Sequence, residues 1–122
     1  MKATRETRGG FSLVEVMIAM FLVMAGVLVI MMSMVAMSKS NRYSQRMDIA
    51  SYYARFEMER VRNIPFASVV SETGAYGEFN QHTDYRHELI VTTVGAVKQV
   101  VVRVYFEGDR RRVEMVTFVA DI

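Results

Sequence analysis

The chain of 122 residues has no cysteine, no tryptophan and a single proline. The first absence excludes a disulfide framework, a thiolate zinc site and a cysteine nucleophile. A lone proline, at position 65, leaves the first half of the chain free of its strongest helix breaker. Charge of one sign is also scarce. The formal net charge is +2, and Lys2, Arg5 and Arg8 against Glu6 account for all of it within the first ten residues. The rest of the chain is neutral and offers no basic field to steer a polyanion, so nucleic acid is not an expected partner. There is no P-loop, nucleophile elbow or pair of catalytic carboxylates, so no enzyme activity and no cofactor are expected. Internal repeats and low-complexity tracts are absent as well. Charged residues at 23% and aromatics at 11% exclude wholesale disorder. The length allows one small domain.

What the chain does have is a long apolar run. Composition breaks at Gly9-Gly10, and Phe11 to Met37 follows with hardly a polar side chain. From Val16 to Met32 every residue is apolar except Gly26, and Ser33 is the only polar residue from there to Met37. Such a run is long enough to cross a bilayer core of about 30 Å at 1.5 Å per residue. A secretory h-region is shorter and ends at a small-residue cleavage site, which this segment lacks. Residues 11–37 are therefore expected to form a membrane-spanning helix. Basic residues flank it on both sides, Lys2, Arg5 and Arg8 before and Lys39, Arg42 and Arg46 after, so the positive-inside rule does not decide its orientation.

Residues 38–65 turn polar without a breaker. Ile49, Tyr53, Phe56 and Arg60 recur at helical spacing, widened by Ala50, Ala54 and Val61. The expectation is one continuous helix from about Ser12 to about Asn63, on the order of 75 Å long, ended by Ile64-Pro65. Residues 66–122 read as a loop and a small sheet. Phe66 to Tyr85 has little periodicity. His87 to Val94 is strand-like, and Val97 to Glu107 sets Val100, Val102, Val104 and Phe106 opposite Gln99, Arg103 and Glu107. After a turn at Gly108-Asp109, Arg112 to Ala120 returns with Val113, Met115 and Val119 on one face. The fold class is α+β, with an antiparallel meander of about three strands that is too small to stand alone in water. The stripe on Ile49, Tyr53 and Phe56 is the available cover, and Tyr52, Tyr53, Phe56 and Phe66 read as packing between helix and sheet.

One position conflicts with its surroundings. Glu15 sits in the opening turn of the apolar span, where a carboxylate costs several kcal/mol unless paired, hydrated or protonated. The segment GG-FSLVEVMIA after a short basic leader resembles the class III signal of type IV prepilins and related pseudopilins. This resemblance implies that a membrane-embedded prepilin peptidase cuts between Gly10 and Phe11 on the cytoplasmic face, removing residues 1–10. It implies that the same enzyme methylates the new amine of Phe11, and that Glu15 meets the terminal amine of a neighbouring subunit during assembly. It also implies an inner-membrane protein whose residues 38–122 lie outside, later moving to a pilus filament or its tip. Its partners would be major and minor pilins through the N-terminal helix and the inner-membrane assembly platform. The chemistry is coherent. Glycine leaves the scissile backbone unobstructed, cleavage creates a cation, and that cation relieves the desolvation of a carboxylate only when two subunits meet.

A weaker resemblance covers IASYYARFEMERVRNIPF. Ala50, Ala54, Met58, Glu59, Arg62, Pro65 and Phe66 fit a pattern of minor pilins of the PilV type and minor pseudopilins of the GspI type. The resemblance thus implies a minor subunit of a type IV pilus that helps prime assembly. Two alternatives stand beside it. One is a minor pseudopilin of a type II secretion system. The other is an uncleaved single-span membrane protein with an external partner-binding domain, in which Glu15 merely lies at the interface.

The remaining features have bland readings. His82 and His87 around Asp84 read as a solvated loop rather than a metal site, because their spacing suits neither helix nor strand ligation. Arg110, Arg111 and Arg112 read as a solvated hairpin tip, against a phosphate contact with DNA. Seven methionines between Val16 and Met37 read as lipid-facing or helix-packing side chains.

Overall fold

The computed structural model describes residues 9–121. One helix, α1 (Leu13–Asn63), is followed by a 3-10 turn (Phe66–Ser68) and four strands: β1 (Glu72–Thr73), β2 (Arg86–Val94), β3 (Val97–Phe106) and β4 (Arg111–Ala120). The chain divides into two compact units, Met1–Asn41 and Arg42–Ile122.

In the first unit, helix α1 begins where Ser12 can cap it. The Ser12 carbonyl accepts the first helical bond, from Val16 N–H at 3.2 Å, and the Ser12 hydroxyl accepts the Glu15 N–H at 3.2 Å. Ser12 is thus the N-cap and Glu15 the third helical residue. Gly26 does not break the helix, since one glycine costs about 1 kcal/mol against many turns of good helix formers. The segment is long and apolar enough to cross a membrane, with a mean hydropathy of 2.8 over its best window and none of that window buried within this chain.

In the second unit the helix continues from Arg42 and stops at Asn63, two residues before the proline that excludes helical geometry at Ile64. All strand pairs are antiparallel, in the order β1-β2-β3-β4. Pairing is unbroken from Arg86↔Tyr105 to Val94↔Val97 and from Val97↔Ala120 to Phe106↔Arg111. Alternation along β3 buries Val100, Val102, Val104 and Phe106 and turns Gln99, Arg103 and Glu107 away, as the two-residue period predicts. These side chains form one core with Ala50, Tyr53, Ala54 and Val61 of α1, Val69, Tyr85 and Leu89.

The structure adds to or corrects the sequence reading in three places. The expected three-stranded antiparallel meander is present as β2-β3-β4, and a fourth, two-residue strand joins it because the extended Glu72–Thr73 pairs with Leu89 and Glu88. Two residues carry no periodicity to read. Within the stretch taken as loop, the 3-10 turn is pinned by the Lys98 ammonium, which donates to the carbonyls of Phe66 (2.7 Å) and Val69 (3.0 Å). Second, the stripe is buried at the expected Ala50, Tyr53, Ala54 and Val61 but not at Phe56. Ala50, Tyr53, Ala54, Glu57 and Val61 face the sheet, whereas Tyr52 and Phe56 stay exposed and do not pack between helix and sheet. Ala50 and Ala54 share one buried cluster with the valines of β3, and Phe56 lies about 100° or more round the helix from that face.

The third correction concerns the histidines. His87 is not in a solvated loop but buried on β2. Its Nδ1 lies 2.7 Å from Glu78 Oε2, and its backbone N–H donates to Glu78 Oε1 at 2.6 Å. His82 is half-buried, with Nδ1 at 2.7 Å from the Tyr53 hydroxyl. Gly74 lies beside the first of these clusters. A Cβ there would collide with the Glu78 carboxylate and the His87 imidazole, so the backbone must come closer than any side chain permits.

This packing predicts unequal costs for two phenylalanines on the same unit. Phe106→Ala should destabilise residues 42–121 by about 3–5 kcal/mol, because Phe106 is 1% exposed. Phe56→Ala, at 52% exposure, should change stability by no more than about 0.5 kcal/mol. Urea titrations of the detergent-solubilised chain, followed by near-ultraviolet tyrosine dichroism, separate the two.

Candidate functional site

Gly10, Phe11 and Ser12 precede the helix in non-helical, exposed backbone. Apart from its two chain neighbours, no described residue lies within 4 Å of where a Cβ on Gly10 would be. Gly10 and Phe11 are both exposed. Residues 1–8, including the basic side chains of the expected leader, lie outside the described residues.

Glu15 occupies the first turn, one face of which continues into an open apolar groove of about 590 Å³. The groove is lined by Phe11, Glu15, Val16, Ala19, Met20, Val23 and Met24. Ala19 follows Glu15 by four residues on the same helix face, and Phe11 is 83% exposed. The Glu15 carboxylate is the one ionisable group among these lining residues. None of the ion pairs found among the described residues involves it. A carboxylate in the first turn is favoured by the partial positive charge of the helix start. Sequence reasoning missed that Ser12-x-x-Glu15 has the spacing of a capping box, a signal readable without any structure. Glu15 therefore has a structural reason to be acidic or amide-bearing as well as a functional one.

The second unit holds a different polar constellation. The hairpin tip between β3 and β4 takes left-handed backbone at three successive residues, Glu107 (φ 54), Gly108 (φ 66) and Asp109 (φ 65). Such geometry costs about 1–2 kcal/mol at a residue with a Cβ. Side chains hold it in place. Asp109 takes a bidentate pair from Arg86 at 2.8 and 2.9 Å and a hydrogen bond from the Tyr76 hydroxyl, while its own N–H donates to that hydroxyl at 2.8 Å. Glu107 lies between Arg46 and Arg111, each at 3.1 Å. Of the three arginines expected at a solvated tip, only Arg110 belongs to the loop. Arg111 and Arg112 open β4, and the Arg111 guanidinium lies over the Tyr43 ring at 4.3 Å.

Elsewhere, Glu57 is buried beneath Arg60, which pairs with it at 2.7 Å and with Glu72 at 3.0 Å. Among the described residues no three His, Asp or Glu side chains converge as metal ligands. Glu57, Glu72, Glu107 and Asp109 are each engaged with an arginine of this unit.

Compared with known proteins, the chain matches no family model, no curated protein and no solved structure.

The ion pairs set an expected acid response. Hydrogen bonds from Arg86 and Tyr76 hold the Asp109 carboxyl below the usual carboxylate range, and Arg60 does the same to Glu72. A carboxyl depressed in the folded state binds fewer protons there than in the unfolded chain. Its stabilisation is complete above the unfolded value and lost as pH falls through the folded one. Stability of residues 42–121 should therefore decline from about pH 4.5 downward. Asp109→Asn should flatten part of that decline while lowering stability near neutrality. Thermal melts of both proteins between pH 2.5 and 7 check the slope.

Proposed function

We propose that the chain is a minor subunit of a type IV pilus, made as a precursor, cleaved after Gly10, and built into a filament through its N-terminal helix. The observation that carries this reading is the conjunction of Gly9-Gly10-Phe11 with Glu15 at the opening of a long apolar helix. The exposed, non-helical backbone at Gly10-Phe11 supports it, because a protease needs extended substrate. The groove beside Glu15 supports it too, since an apolar surface with one carboxylate suits a helix from another subunit that brings one cation.

Cleavage would supply that cation. The new amine of Phe11 lies just ahead of the helix start, where a positive charge is unfavourable. Glu15 in an apolar setting has the opposite problem. Each is relieved by its counterpart on another subunit, and removing either leaves the other buried and unpaired. Charge pairing thus reports correct axial register between neighbouring helices.

Intact mass and N-terminal sequence of the protein from its native membrane test this reading first. A chain beginning at methylated Phe11 is expected. One that still begins at Met1 in the presence of active prepilin peptidase overturns it. Gly10→Val meets open space in the folded chain, so a loss of processing in that variant is a property of the peptidase site rather than of misfolding. Glu15→Gln separates capping from pairing, because glutamine serves equally at the third helical position. The variant should fold and be cleaved, yet enter filaments at least about tenfold less efficiently. Wild-type incorporation would reduce Glu15 to a capping residue.

A further inference from the structure

The hairpin tip and the first helical turns of the second unit bring together a cluster of cations that the proposed function does not use. Arg42 and Arg46 lie one turn apart on α1. Arg46 reaches Glu107 at the tip (3.1 Å), and Arg111 lies over the ring of Tyr43 (4.3 Å). Arg42, Arg46, Tyr43, Arg110 and Arg111 therefore share one end of this unit. The acidic groups nearby do not cancel them. Glu107 can neutralise only one of its two arginine partners, Asp109 is taken by Arg86 and Tyr76, and Asp84 lines the cleft that also contains Arg46 and Glu107. Arg42 and Arg110 are exposed and enter none of the ion pairs among the described residues.

Chain connectivity fixes where this end must be. Arg42 follows Met37, the last residue of the apolar run, by five residues. Five residues reach at most about 17 Å even when fully extended. If the apolar run spans a bilayer, Arg42 and the arginines packed near it cannot leave the vicinity of the membrane surface. A tyrosine among arginines at that depth is the composition of an interfacial anchor, with the aromatic ring at headgroup level and the guanidiniums on phosphates.

We propose that Arg42, Arg46, Arg110 and Arg111, with Tyr43, form a docking surface for the anionic phosphodiester headgroups of the membrane the chain spans. The inference rests on the membrane-spanning part of the proposed function and not on cleavage or filament assembly. It gives the hairpin tip a task. Its left-handed turn leads into the exposed Arg110 and Arg111, and docking holds this end of the unit at the membrane surface.

The full chain is reconstituted into vesicles of phosphatidylcholine alone or with a third phosphatidylglycerol. Because the protein has no cysteine, Thr83→Cys accepts a single fluorophore next to the tip, and headgroup spin-labelled lipid quenches it when the unit is docked. Stronger quenching in the anionic vesicles, abolished by 0.5 M salt, is expected. Each arginine near such a surface contributes a factor of about five. Arg42→Gln with Arg110→Gln should then lower the ratio of docked to released protein about 25-fold, and neither substitution removes an ion pair found in the structure. Tyrosine dichroism confirms that the variant is folded, and Arg110→Glu alone should act in the same direction.

Quenching that ignores lipid charge, in vesicles from which carbonate does not extract the protein, overturns the docking surface and leaves the span intact. Extraction by carbonate overturns the span and the docking surface together. Binding of a short DNA duplex to the chain in phosphatidylcholine vesicles, lost in the double variant while anionic lipid has no effect, would assign the arginines to nucleic acid instead.

Discussion

A sheet of three strands of nine or ten residues and a two-residue edge cannot hold itself in water, and residues 42–121 are organised by the covering of its inner face. The cover is one side of α1. Ala50 and Ala54, both fully buried, belong to the same core cluster as Val100, Val102 and Val104. Tyr53 then fills the end of the layer, stacked on Phe79 with ring centroids 3.9 Å apart. Because the inner face takes the valines of β3, the outer face receives its charges. There Arg103 pairs with Glu114 at 2.8 Å and approaches Glu88 at 3.7 Å, a row of alternating sign across three strands.

Two carboxylates on α1 illustrate how one helix handles the same difficulty twice. Glu57 lies on the buried face, and its cation is three residues away on the same helix, where Arg60 shields it and links it to Glu72. Its charge is settled within the chain. Glu15 lies in apolar surroundings with only the helix start to favour it. Under the proposed function its counterpart belongs to another molecule. A carboxylate satisfied internally stabilises a fold, whereas one left over specifies an encounter. The difference is in where the cation resides, not in the acid.

Most of the architecture was legible because it follows from periodicity. The helix end before Pro65 and the alternation of Val100, Val102, Val104 and Phe106 are dictated by local chemistry, and Gly108-Asp109 marks the place of a turn though not the contacts that hold it. What escaped depends on partners distant in sequence. Glu72–Thr73 is a strand only because β2 offers it an edge. His87 is buried because Glu78 folds back onto it, and nothing in the residues between them announces that contact. Phe56 departs from its size. A large apolar side chain predicts burial, yet it is half exposed because it lies off the face that carries Ala50, Ala54 and Val61. At the N-terminus the capping role of Glu15 was readable from Ser12-x-x-Glu15 but hidden behind a more conspicuous motif.

The clamp on the hairpin tip bears on the order in which this unit acquires its shape. A hairpin is ordinarily the most local of β structures and closes from its turn outward. Here the turn occupies backbone that Glu107 and Asp109 do not favour by themselves, and the groups that hold it come from elsewhere: Arg86 on β2, Tyr76 in the preceding loop and Arg46 on the helix. The long-range contacts that hold the tip span 23 to 61 residues of sequence, beside the local pair of Glu107 with Arg111. A nominally local turn thus carries contacts of high sequence separation, which are expected to slow its completion.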